Sequence, residues 1–302
     1  MPDASAALVL SHDRTQRTAL IALFAGALAI AFAPIFVRLS EVGPTATAFW
    51  RVALATPVLA AWMVAERPGF SRRSPTGFRD FAGLALAGVF LAGDLIIWHL
   101  SLRYTSVANS TLLANFAPMF VAPVSFLLFG ERFRRSFLAG LAMAVAGAVL
   151  LMGQSFRLNA DQLYGDALAL LSATFYAGYI LAIGRLRAAF TTATVMAWSS
   201  AITAVAVLPV ALAFGETMLP ASLDGWAVLA GLALVSHVGG QSLIAHALAH
   251  LPAAFSSVSL LLQPAGAAIL AWVLFAEPLG ALQAAGAAVI LGGILLARRG
   301  SR

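Results

Sequence analysis

Cysteine and lysine are both missing from the 302 residues. The absence of cysteine rules out a disulfide framework and any thiolate metal site. Charge is scarce too. Only 10% of residues are charged, against ~25% in an average soluble domain, and 61% are hydrophobic, so water is not the main solvent of this chain. No Gly-x-Ser-Gly element is present, no His-Asp cluster lies within an apolar run, and Asp94 has only Asp166 as a second acid near membrane depth. A membrane-embedded enzyme is therefore a remote alternative. Nothing resembles a repeated selectivity filter, which argues against a channel. The net charge of +6 would suit nucleic acid, but the arginines form no stripe with interleaved aromatics, so no nucleic-acid partner is expected.

What the chain does have is long apolar runs. A spanning helix needs ~20 mostly apolar residues, and ten segments qualify: 19–37, 45–65, 81–101, 106–129, 136–153, 164–184, 193–214, 226–248, 254–275 and 280–297. Turn-prone stretches separate them, and the ~10-residue alternation of a membrane β-barrel is absent. The first segment is too long for a signal-peptide core and lacks a small-residue cleavage site, so it reads as a retained helix. All 18 basic residues are arginine. With the N-terminus inside, fourteen of them fall in cytoplasmic segments and three, Arg38, Arg103 and Arg157, in outer loops; Arg51 lies within a helix. Both termini are thus expected in the cytoplasm of a bacterial cell, with the chain spanning the inner (plasma) membrane.

The two halves are related. An offset of 146 lays Ser106–Leu151 over Pro252–Ala297, matching Ala108 with Ala254, Ser110 with Ser256, Pro118 with Pro264, Phe129 with Phe275, Glu131 with Glu277, Gly140 with Gly286 and Gly147 with Gly293. Upstream, an offset of 147 pairs Thr45-Ala-Thr47 with Thr192-Ala-Thr194, and Arg38-Leu39 with Arg185-Leu186. Five spans per half is an odd number, so the halves must be inverted. Glu131 is followed by Arg-Phe-Arg-Arg and its counterpart Glu277 by Pro-Leu-Gly-Ala, as opposite membrane faces require. The expected organisation is a cytoplasmic tail at 1–18, a first repeat at 19–153, a second at 154–297 and a short cytoplasmic tail at 298–302.

On these residues the chain resembles the drug/metabolite transporter superfamily, and within it the ten-helix EamA-type exporters. The resemblance is carried by Leu102-Arg-Tyr-Thr-Ser-Val-Ala108, Pro118, Gly130-Glu131, Gly140 and Gly147, with echoes at Pro264, Glu277, Gly286 and Gly293. It covers roughly Leu20 to Leu296. It implies an all-α membrane protein whose two inverted five-helix repeats surround a central cavity, lined by helices one to four and six to nine. It also implies export of small metabolites by alternating access. Amino acids are the first expectation, aromatic or other neutral ones included, and drugs or lipophilic cations are the alternative. Small multidrug members of the superfamily use a first-helix carboxylate for proton exchange; no acid lies in 19–37, so that mechanism does not carry over.

Ionisable groups at membrane depth are functional candidates by default. Asp94 and Arg51 sit at similar depth, ~10 Å below the outer ends of their helices at ~1.5 Å per residue. They read as a site for the two ends of a zwitterion, as a proton-sensitive gate, or as a structural ion pair across helices two and three. Trp98, one turn from Asp94, shares its face; Tyr176 and Tyr179 are further cavity candidates, whereas Trp50 and Trp198 read as interfacial anchors. Pro118 and Pro264 free the carbonyls of Ala114 and Leu260 and should bend helices four and nine, a gating device. Beside those bends lie Thr111 and Asn115 in one repeat and Ser256, Ser259 and Gln263 in the other. Helix eight carries His237, Gln241 and Ser242 mid-span, and His246 and His250 nearer its cytoplasmic end. The latter two have metal-ligand spacing but no acid nearby, so neither a metal nor a cofactor is expected and no residue is assigned a catalytic role. Small residues on helices five and ten read as close-packing positions, within a monomer or across a weak homodimer.

The orientation makes a direct prediction in a chain without native cysteine. A cysteine at Gly280 should react with an impermeant thiol reagent in intact cells and one at Ser136 should not; the opposite pattern would invert the topology.

Overall fold

The computed structural model describes residues 4–66, 74–152, 160–276 and 280–301. Glu277, most of the 277–280 turn, and Arg67, Arg72, Arg73, Arg157 and Arg302 lie outside the described residues. Nine described helices are long and apolar enough to span a membrane, and Arg135–Leu151 is a shorter apolar one. In chain order they are α1 (Arg14–Leu39), α2 (Pro44–Ala65), α3 (Phe78–Ser101), α4 (Asn109–Phe129), α5 (Arg135–Leu151), α6 (Asp161–Leu186), α7 (Thr192–Ala213), α8 (Leu223–Ala247), α9 (Ala253–Phe275) and α10 (Ala281–Gly300).

Local chemistry sets the ends of these helices. Ser106, Thr191 and Ser222 cap the starts of α4, α7 and α8 by accepting from backbone amides three residues on. Gly130 ends α4 at φ 66°, a left-handed conformation that suits glycine. The first helix departs from expectation, since its helical backbone extends ahead of the α1 span to Ala4 rather than beginning at 19. Leaving the bilayer does not stop a helix whose residues are good helix formers, and the Thr18 hydroxyl donates to the Arg14 carbonyl across the boundary at 3.0 Å.

The repeats pack as an inverted pair. α1 lies against α8, α2 against α7, α3 against α6 and α5 against α10, each contact crossing from one repeat to the other. One aromatic contact appears twice. The Arg185 guanidinium stands 3.7 Å over the Phe129 ring, and Arg38 stands 4.5 Å over Phe275. These are the residues paired by the sequence offsets, and the chain topology puts the two contacts on opposite membrane faces. An inversion axis in the membrane plane requires that arrangement.

The close-packing glycines meet within the chain. A Cβ on Gly140 would fall 2.6 Å from the Gly293 carbonyl and one on Gly293 would fall 2.7 Å from the Gly140 carbonyl; Gly147 and Gly286 repeat the reciprocal contact at 2.8 and 2.7 Å. Without a hydrophobic drive between helices in lipid, such backbone approach is what binds α5 to α10. The outer face is apolar, with Val64, Leu127 and Val205 among the most exposed side chains. Gly293→Ala should destabilise the protein by ~1–3 kcal/mol, because its new methyl meets immovable backbone. Gly292→Ala meets only the tip of the Met143 side chain and should be near neutral. Thermal unfolding of both variants in one detergent checks this, and equal melting temperatures would refute it.

Candidate functional site

Three of the ten spans are interrupted: α1 at Phe32, just ahead of Pro34, and α4 and α9 in mid-membrane. Within α4 the helix Val107–Ala114 ends and a second, Pro118–Phe129, begins. Within α9 the break lies between Ala253–Ser259 and Leu262–Phe275. The prolines therefore do more than bend a continuous helix: each stands in the first turn of a new one, where its missing N–H is not needed. At the α4 break Asn115 folds back to donate from Nδ2 to the Thr111 carbonyl at 2.7 Å. Irregular backbone at membrane depth is tolerated where it lines a cavity, and Asn115 and Gln263, beside the α4 and α9 breaks, both do so. Helix α8 is irregular as well. Leu232–Gln241 winds as a π-helix, a wide form that is rare and found mostly at functional sites.

These irregular segments enclose a central cavity of about 60 Å³. Arg51, Asp94, Trp98, Thr111, Asn115, Tyr176, Gln241 and Gln263 supply its polar and aromatic lining, and Ile30, Pro34 and Leu95 part of its apolar wall. Both repeats contribute, but their contributions differ. Gln241 follows Asp94 by 147 residues, so the repeats place an equivalent side chain in the cavity and only the first is charged. Trp198 holds the place equivalent to Arg51 and is 37% exposed on the outside of the bundle.

The structural ion pair does not form. Among the described residues no ion pair joins Asp94 to Arg51. Asp94 instead accepts from the Ser172 hydroxyl of α6 at 2.6 Å. Arg51 is only 4% exposed and its Nε has no acceptor. A carboxyl and a guanidinium thus face one cavity without contact between them.

Three sequence candidates lie off the cavity. The Tyr179 hydroxyl points to the Met196 sulfur at 3.5 Å. Ser259 bonds back to the Phe255 carbonyl of its own helix at 3.1 Å, and Ser256 is fully buried away from the cavity. The break in α9 turns these serines from the shared stripe that a continuous helix would present. Ser172 was missed, because a serine among alanines and leucines carries no signal of its partner. His237 is paired with Ser200 at 2.8 Å outside the cavity, and His99 faces the Leu95 carbonyl at 2.7 Å.

The EamA-like transporter family matches residues 17–153 and 163–299, nearly the whole chain, once per repeat. The chain belongs to that family. An uncharacterised transporter of Archaeoglobus fulgidus is 30% identical over 185 residues, covering 60% of this chain and 62% of that relative. The pseudopaline exporter CntI of Pseudomonas aeruginosa is 28% identical over 208 residues, 69% of this chain and 72% of its own. One solved crystal structure superposes with a TM-score of 0.77 over 94% of this chain and 98% of its own, at 21% identity, a likeness of fold alone. The chain is accordingly a multi-pass membrane transporter and not an enzyme.

In this EamA-family chain, the membrane face opposite the termini is shut by contacts between repeats. Glu41, between α1 and α2, accepts from the backbone amides of Ala221 and Ser222 at 2.9 and 3.1 Å and from the Ser222 hydroxyl. Glu216, between α7 and α8, accepts from the Ala46 amide at 2.8 Å and pairs with Arg103. Glu216 thereby caps the first turn of α2, and Glu41 holds the two residues that lead into α8, each from the other repeat. Trp50 closes the seam, donating from Nε1 to the Met218 carbonyl at 2.6 Å and packing edge-on against Trp226. The Ser222 hydroxyl, and then the two amides, hold the Glu41 carboxyl below its ordinary range. A lowered value in the closed state means that the contact is intact above that range and weakens as pH falls through it. Glu41→Gln imitates the protonated form at constant pH. Purified protein carrying Ala46→Cys should react with a thiol reagent severalfold faster in the Glu41→Gln background, and an unchanged rate would show that this contact holds nothing shut.

Proposed function

We propose that this transporter exports a small zwitterion, a neutral amino acid, by alternating access between its inverted repeats. The carrying observation is the pair of opposite charges that face one cavity and do not touch each other. An isolated charge at membrane depth is costly, and neither group has an oppositely charged partner: Asp94 has the Ser172 hydroxyl, and the Arg51 Nε has no acceptor. An amino acid supplies both: its carboxylate meets the Arg51 guanidinium and its ammonium meets the free side of Asp94. Trp98 and Tyr176 then provide aromatic surface for an apolar or aromatic side chain. A lipophilic cation would satisfy Asp94 and leave Arg51 bare, and nucleotide sugars would need more cations than Arg51 alone.

In this reading the termini face the cytoplasm of a bacterial cell and the Glu41–Ser222 seam faces outward. Substrate enters from the cytoplasm, the seam opens, and the broken helices α4 and α9 move about Pro118 and Pro264. Pseudopaline, the cargo named for one relative, belongs in the same substrate screen. Proteoliposomes test the reading. Uptake should favour neutral amino acids, L-phenylalanine among them, over drug cations and nucleotide sugars. Asp94→Asn should lower it by about tenfold or more, the size of a lost charge-assisted hydrogen bond. Preferential uptake of drug cations, unaffected by Arg51→Gln, would overturn it.

A further inference from the structure

The central cavity, at about 60 Å³, has room for a few waters and not for an amino acid. The larger space lies elsewhere. A vestibule of about 790 Å³ opens on the face that carries the termini, between the starts of α1 and α7 and the ends of α2 and α8. That volume is within the ~300–1,000 Å³ of ordinary small-molecule sites.

Its lining repeats the chemistry of the cavity. Glu66 and Trp62 stand one helical turn apart on α2, as Asp94 and Trp98 do on α3, and both line the vestibule. Arg187 supplies the positive charge, its guanidinium anchored by the carbonyls of Ala245 and Phe190. An acid, a tryptophan and an arginine therefore line both spaces. Ser242 adds a separate sign of a ligand: it is 5% exposed, lines the vestibule, and its hydroxyl has no hydrogen-bond partner. The oxygen is sealed from the vestibule in this state, so movement of the α8 wall would be needed to bring a solute to it. Its neighbour Gln241 lines the central cavity, so consecutive residues of α8 form the wall between the two spaces.

We propose that the vestibule is a second amino-acid site, which loads substrate from the cytoplasm while the central cavity is closed. This rests on the amino-acid reading above and goes beyond it by adding a site. The substrate ammonium meets Glu66 and its apolar side chain packs on Trp62. Its carboxylate lies toward Arg187 and the Ser242 hydroxyl. Rearrangement of the α8 wall then passes it to Gln241 and the Asp94–Arg51 pair.

Equilibrium binding of radiolabelled L-phenylalanine to the purified full chain in lipid nanodiscs tests this. The wild type should bind about two molecules per chain. Glu66→Gln and Asp94→Asn should each halve that capacity, and the double variant should bind none. Trp62→Ala gives a second probe of the vestibule if Glu66→Gln lowers the melting temperature. A wild-type capacity of one, abolished by Asp94→Asn and untouched by Glu66→Gln and Trp62→Ala, would overturn the second site and leave the central one standing. A capacity of two that neither vestibule variant reduces would overturn its placement here. No binding to the wild type would overturn the amino-acid reading itself.

Discussion

A bilayer offers no water to a bare charge, and this constraint organises the interior of the chain. Nearly every charged side chain is kept at the ends of the spans, and the exceptions, Arg51 and Asp94, converge on one cavity. Contact between them would satisfy both and silence the site. The structure avoids that by giving Asp94 a partner on α6, the Ser172 hydroxyl, which holds one carboxyl oxygen. The breaks in α4 and α9 and the π-helical stretch of α8 follow from the same constraint. Polar backbone can be released at that depth only where it faces a cavity, and all three segments do.

The inverted repeat supplies the frame and its asymmetry supplies the chemistry. Reciprocal glycine contacts tie α5 to α10 at the periphery, and the arginine–phenylalanine contact is reproduced on both membrane faces. The charges are not duplicated: Gln241 stands where symmetry would place a second Asp94, and Trp198 where it would place a second Arg51. A duplicated site would gather four charges in one small space. The single pair keeps the cavity neutral overall, which suits a solute that is neutral overall and charged at both ends.

The fold was legible because its signals are periodic and redundant. Ten apolar runs, arginine placement and Pro, Phe and Gly matches at one offset all point to the same architecture. Much of the site was legible as well, since Asp94, Arg51, Trp98, Asn115, Gln241 and Gln263 stand out against an apolar background. What stayed hidden depends on geometry that composition does not carry. The interruption of α9 rotates Ser256 and Ser259 away from the cavity, and Tyr179 turns to Met196. The partner of Asp94 is a serine 78 residues away in the other repeat. The Glu41 and Glu216 contacts were equally invisible, because loop acids look alike in a sequence until a helix start is found beside them.

The most direct measurement of the central claim compares L-phenylalanine with two truncated forms, phenethylamine without the carboxylate and 3-phenylpropionate without the ammonium. The account predicts that the wild-type protein binds the amino acid about tenfold or more tightly than either, as a lost charge-assisted contact requires. Arg51→Gln should erase the advantage over phenethylamine alone, and Asp94→Asn the advantage over 3-phenylpropionate alone. Equal wild-type affinity for phenylalanine and phenethylamine would contradict it, because Arg51 would then have no part in holding the substrate.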